Sequence, residues 1–192
     1  VKYMPNDLLS LRLSAGKGYR TVHPYAEFNY LMASGRELVV DDLNQEEAWN
    51  YGISGALNIP IGEKLLKINA EYYYTNFEEQ AVMDMDTYTE NGMPQVHITN
   101  LDGKSYSHTF QIDATYPIIE GLTVTAAYRM NDVKCTYGGE LMTKPLTSKY
   151  KGLLTASYKT PNGKWQFDGT LQLNGGGRMP KPYQLAGTNE WS

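Results

Sequence analysis

Apolar and polar residues alternate along seven stretches of this chain. A period of two sends successive side chains to opposite faces of an extended backbone, so each stretch predicts a strand with one apolar face. The first sets Leu9, Leu11, Leu13 and Ala15 against Ser10, Arg12, Ser14 and Gly16. The second places Trp49, Tyr51, Ile53, Leu57 and Ile59 opposite Asn50, Ser54, Ala56 and Asn58. The remaining five cover Leu66–Thr75, Thr109–Ile118, Leu122–Asn131, Leu154–Lys159 and Trp165–Asn174 in the same manner.

The connections sort by length. Gly62–Lys64, Glu120–Gly121 and Asn162–Lys164 read as tight hairpin turns. Between them stand long polar links: Thr21–Gln45, Glu78–Tyr106 and Lys134–Lys149. Short and long therefore alternate, as they do in a membrane barrel with short periplasmic turns and long extracellular loops. The links carry signals of their own. Glu78–Met85 and Gln95–Asn100 read as outward continuations of the third and fourth strands, closed around Glu90-Asn91-Gly92. Asp102-Gly103 reads as a bulge or kink on the way back. Pro24, the apolar spacing from Tyr25 to Met32, and Gly35 predict a short amphipathic helix.

Alternation alone does not say which face is inside. The polar face is small as well as polar, rich in Ser, Gly, Asn, Ala and Thr, with isolated charges such as Arg12, Lys67, Asp113 and Arg129. A solvated outer face carries more long charged side chains; a lumen favours the smaller set. Aromatics gather at strand ends, with Tyr116, Tyr158 and Trp165 near the short turns and Trp49, Tyr51, Tyr72, Tyr74 and Tyr128 toward the links. Two such bands match the aromatic girdles of a membrane barrel.

Composition narrows the field further. No run of 18 apolar residues exists, so no helix of this sequence spans a membrane. A mean hydropathy of -0.49 is compatible with a barrel, whose wall is apolar only at alternate positions. Tyrosine is abundant, 16 against 4 Phe, which suits a membrane boundary or a binding surface. The net charge of -4 argues against a nucleic-acid partner. The single cysteine, Cys135, allows no internal disulfide. Val1–Asp7 has no apolar core of a signal peptide, and an odd strand count followed by the link Gly175–Ser192 suggests that further wall exists. The expected fold is therefore all-β: an antiparallel transmembrane β-barrel segment of about seven meander strands. Residues 1–192 are read as one partial barrel domain without a plug.

Two motifs carry a family resemblance. Arg12-Leu13-Ser14-Ala15-Gly16-Lys17-Gly18-Tyr19-Arg20-Thr21 resembles the strand of TonB-dependent outer-membrane receptors that ends in Gly-x-Gly-[Tyr/Phe]-Arg. Glu46-Glu47-Ala48-Trp49-Asn50-Tyr51-Gly52 resembles the start of the next strand in that family. The motif residues carried over are Gly16, Gly18, Arg20, Glu47, Asn50 and Tyr51. Asn100–Ser107 and Leu173–Pro180 look like branches of the family from gut Bacteroidetes. Thr21-Val22-His23-Pro24 departs from the family, which has proline or a small residue soon after the arginine. The resemblance implies the cell outer membrane, contact with its lipid, a plug domain, a TonB-type energy coupler, and import of a scarce nutrient. Siderophore-iron, haem, cobalamin and glycans are the nutrient classes it implies.

Nothing in the sequence indicates an enzyme. His23, His97 and His108 lack metal-ligand spacing, and no nucleophile elbow or phosphate loop is present. Asp84 and Asp86 share one strand face and offer oxygen ligands of the kind Ca²⁺ takes, against the reading of an ordinary acidic loop tip. Ligand contacts are expected from link aromatics: Tyr25, Phe28, Tyr30, Tyr88 and Tyr137. The competing reading of the whole chain is a soluble all-β module that binds a ligand or protein through Tyr-rich acidic loops.

Overall fold

The computed structural model describes residues 1–180. Twelve strands follow in chain order: β1 (Lys2–Asn6), β2 (Leu9–Arg20), β3 (Glu37–Val40), β4 (Glu46–Ile61), β5 (Lys64–Glu79), β6 (Ala81–Tyr88), β7 (Pro94–Asn100), β8 (Ser105–Ile119), β9 (Leu122–Tyr137), β10 (Glu140–Thr143), β11 (Tyr150–Lys159) and β12 (Gln166–Asn174). The main sheet runs β1-β2-β4-β5-β8-β9-β11-β12, with β10 folded back on β9. All its pairings are antiparallel. Among the described residues it does not close, and β1 and β12 form its edges.

The seven alternating stretches become β2, β4, β5, β8, β9, β11 and β12, neighbours in that order. The expected count of about seven strands is nevertheless too low. β1 adds a strand beside β2, and its Pro5 falls at the register shift between Tyr3 and Asn6, where the ladder is interrupted. β3, β6 and β7 form a second sheet of order β3-β7-β6, with β3 parallel to β7. Of the extra strands, β1, β3 and β10 have only four or five residues, too few to show a period of two. β7 also buries Val96 and Ile98 among neighbours that are themselves half-buried.

The hairpin expected in the second link exists as β6 and β7. Thr89 N–H donates to the Met93 carbonyl at 2.8 Å, and Gly92 takes a φ of +76° at the tip. It does not simply prolong β5 and β8. β6 and β7 instead belong to the separate sheet, because β3 lies against β7. The expected helix is broken in two: one α-turn, α1 (Pro24–Glu27), and a 3-10 stretch, Asn29–Ser34, ended by Gly35 at φ +69°. The link beyond residue 180, within the stretch Gly175–Ser192, lies outside the described residues.

Register preserves the two faces across the whole wall. Leu13, Ile53, Tyr72, Phe110, Met130 and Tyr150 stand opposite one another in sequence on one row. Two-residue steps keep Leu57, Ile68, Ile112, Val124, Leu154 and Leu171 on that same face, and Asn50, Asn69, Asp113, Arg129 and Asp168 on the other. The tight turns rest on Gly62, Gly121 and Gly163, all at positive φ. At Gly121 a Cβ would collide with the Lys159 carbonyl, so glycine is required there. β4, β5 and β9 have 16 residues each. At about 3.3 Å per residue they reach about 50 Å, longer than the roughly 30 Å hydrocarbon core of a bilayer. Their link-side ends therefore carry the second sheet.

Candidate functional site

The chain's buried core lies on the link side, not along the wall. Val96 and Ile98 of β7 pack with Met85, and Phe28, Leu38, Val40, Leu43, Ala81 and Met83 close around them. Val82 faces the other way, against Cys135 and Tyr137 at the end of β9. This second sheet, with α1 and the 3-10 stretch, forms a cap fastened to the wall.

The fastening begins at the first family motif. Arg20 and Glu46 are register partners across β2 and β4. Arg20 Nε and Nη2 both lie 2.6 Å from Glu46 Oε2. The other carboxylate oxygen, Oε1, accepts the Ala81 N–H at 3.0 Å, where β5 gives way to β6. Arg20 Nη1 also reaches Glu27 of α1 at 3.1 Å. One buried carboxylate thus ties two wall strands to the cap, and one guanidinium ties the wall to the helical segment.

A second fastening sits near β9. Arg178 Nη1 pairs with Asp86 at 2.5 Å, its Nε donates to the Thr143 carbonyl at 2.6 Å, and its guanidinium lies over the Tyr137 ring, 5.3 Å from the centroid. Burial pushes the Tyr137 phenol well above its ordinary range. Gln80 accepts the Ser105 hydroxyl at 2.5 Å at the root of the hairpin.

The expected site residues divide on this frame. Tyr25 and Tyr30 are exposed on the cap, as is Tyr88 near the hairpin tip. Phe28 and Tyr137 are packed into the two clusters instead, since unsatisfied apolar area drew them inward. Asp86 is engaged with Arg178, and Asp84 accepts the Asp86 N–H at 2.8 Å. No group of three or more His, Cys, Asp or Glu assembles among the described residues. The cavity between Phe28, Val82, Met83, Cys135 and Tyr137 measures about 30 Å³, room for a water but not for a nutrient.

The motif residues are also sorted by the structure. Asn50 donates to Thr75 at 2.8 Å on the polar face. Tyr51 stacks between Trp49 and Tyr74, with centroids 6.1 and 6.4 Å away, on the apolar face. Glu47 is not the carboxylate that meets Arg20. It takes Lys17 at 2.7 Å on the opposite face, since neighbouring strand residues point apart. Glu46 is the carboxylate that Arg20 meets, and its place in the quoted motif was the available signal. Arg178 had no local signal, because it meets Asp86 across 92 positions. Nothing in the structure explains glycine at 16 or 18, where an added Cβ meets no atom within 4 Å.

An antiparallel wall with one continuous apolar face, tight turns on one side and a packed cap on the other is the architecture of a transmembrane barrel wall. The family model described as TonB dependent receptor-like, beta-barrel matches residues 1–191, and the chain belongs to that family. No curated protein and no solved structure matches it. Members are outer-membrane receptors that import nutrients and are not enzymes.

Proposed function

We propose that this chain forms wall and surface cap of a receptor that admits a scarce nutrient. The apolar face meets lipid, the polar face lines the interior, and the cap stands outside where a ligand arrives. One observation carries this reading. The apolar face is continuous through the main sheet yet uncovered, with Ile53 48%, Leu154 46% and Phe167 59% exposed. Water penalises a wide uncovered apolar surface; lipid solvates it. The same observation disfavours the soluble binding module.

Tyr25, Tyr30 and Tyr88, being exposed on the cap, are the side chains proposed to touch the ligand. The ligand belongs to the classes of iron chelates, haem, cobalamin or glycans. A plug inside the barrel and a TonB-type coupler complete the device. The test is growth of receptor-null cells carrying the full-length receptor, fed each class as sole source. Receptor-dependent growth on one class, lost on removing the coupler, supports the reading. Growth that ignores the receptor on all four classes overturns it.

A further inference from the structure

The pairing register draws one row of directly opposed residues across the polar face. On β1 and β2, Lys2 stands opposite Arg12. On β9 and β11, Arg129 stands opposite Lys151. Ser54, Glu71 and Gln111 carry the same row from Arg12 to Arg129. The row thus holds four cations and one carboxylate, and none of the five forms an ion pair among the described residues. The row two residues nearer the tight turns carries only Asp113 as a charge, and Asn69 already donates to it at 2.8 Å.

Like charges directly opposed in a sheet repel and destabilise the pair. Two such pairs on one row concentrate positive potential on the polar face. Arg129 Nε donates to Asn131 Oδ1 at 3.1 Å, which orients the guanidinium and leaves its Nη groups without a hydrogen-bond partner among the described residues. Gln111 stands beside it as a further donor. We propose that this row is an anion-binding track inside the barrel, with Arg129 and Lys151 as its main station for a carboxylate or phosphate group. The Arg fork takes two oxygens of such a group while Lys supplies a mobile point charge. Because barrel strands tilt by about 35–45°, the row climbs obliquely through the wall rather than circling at one depth. This inference rests on the reading of the polar face as the interior. The anionic group comes either from a solute or from an acidic side chain of the plug.

The experiment uses the full-length receptor in detergent, with citrate and pyrophosphate as probes in titration calorimetry. Arg129→Gln and Lys151→Gln should each weaken probe binding by about tenfold or more, the effect of one charge-assisted hydrogen bond. Arg129→Lys should retain part of it. Lys67→Gln, a cation on the same face but off the row, should leave binding unchanged. If the plug supplies the anion, the neutral variants instead lower the melting temperature without added probe and leave citrate binding unaltered. No change in either readout, or an equal change from Lys67→Gln, overturns the proposal. A bimane label on Ser54→Cys, read against nitroxide lipid, separates the two levels of failure. Quenching there overturns the interior-face reading itself; no quenching with no anion effect overturns the row alone. Cys135 is buried, and any accessible cysteine elsewhere in the receptor is replaced by serine before labelling.

Discussion

The wall and the cap are built from strands of one chain, yet they solve opposite solvation problems. Along the wall, side chains such as Ile53, Leu57, Leu154 and Leu171 stay exposed, and among the described residues no buried hydrophobic side chain lies between the tight turns and the link-side strand ends. In the cap, Val96 and Ile98 are essentially sealed, at 1% and 0% exposure. On the proposed reading the wall has lipid as its solvent, so its apolar face needs no second layer. On the same reading the cap stands in water and buries apolar area against itself, as any small domain does. Tyr51 and Tyr137 show the difference in one residue type. The first joins a stacked aromatic row with Trp49 and Tyr74, while the second fills a core and holds Arg178 against its ring.

The sharpest way to break this comparison is to damage each region by its own rule. Ile98→Ala removes a fully buried side chain and should cost the cap about 2–5 kcal/mol. Hydrogen exchange should then rise in β3, β6 and β7 while β4, β5, β8 and β9 keep their protection. Exchange rising equally in the wall would show that wall and cap fold as one unit.

Leu57→Arg attacks the wall from its lipid side. It should destabilise the barrel in a vesicle refolding titration by about 2–4 kcal/mol if it sits at mid-bilayer depth. Its neighbour Asn58→Arg, on the polar face, should cost far less. Equal costs would contradict the assignment of faces.

The junction is expected to respond more gently. Glu46→Ala removes the acceptor for both Arg20 and the Ala81 N–H, and leaves the latter, a half-buried group, without that acceptor. Arg20 is more than half exposed, so solvent screening limits the loss to about 1–2 kcal/mol. Limited proteolysis should cut first at the β5–β6 boundary. Glu46→Gln, which keeps the acceptor for Ala81, should be milder; matching cleavage rates would remove the Ala81 contact from the account.

The smallest effect concerns pH. His97, then Thr99, hydrogen-bond to Asp41 and hold its carboxyl below the ordinary 3.8. A depressed carboxyl stabilises the folded cap above its ordinary value and loses that contribution as pH falls through the folded one. Wild-type cap should therefore loosen more below about pH 4 than Asp41→Asn, read by exchange in β3 and β7. Identical acid profiles would leave the Asp41–His97 contact, 2.9 Å long, without energetic weight.

The sequence by itself determined the wall. A period of two allows only two faces, and tight glycine turns join β4 to β5, β8 to β9 and β11 to β12, so the seven strands β2, β4, β5, β8, β9, β11 and β12 were legible before any coordinates. The hairpin tip at Gly92 was legible for the same local reason. Tertiary structure alone decided that this hairpin joins a separate sheet with β3. β3 pairs with β7 across more than fifty positions, and four residues carry too little pattern to announce a strand. It also decided which acidic residue meets Arg20 and why Tyr137 turns inward. It set the charged row through Lys2, Arg12, Glu71, Arg129 and Lys151 as well. Alternation assigns each residue to a face, but only the register between strands says which residues on that face stand side by side.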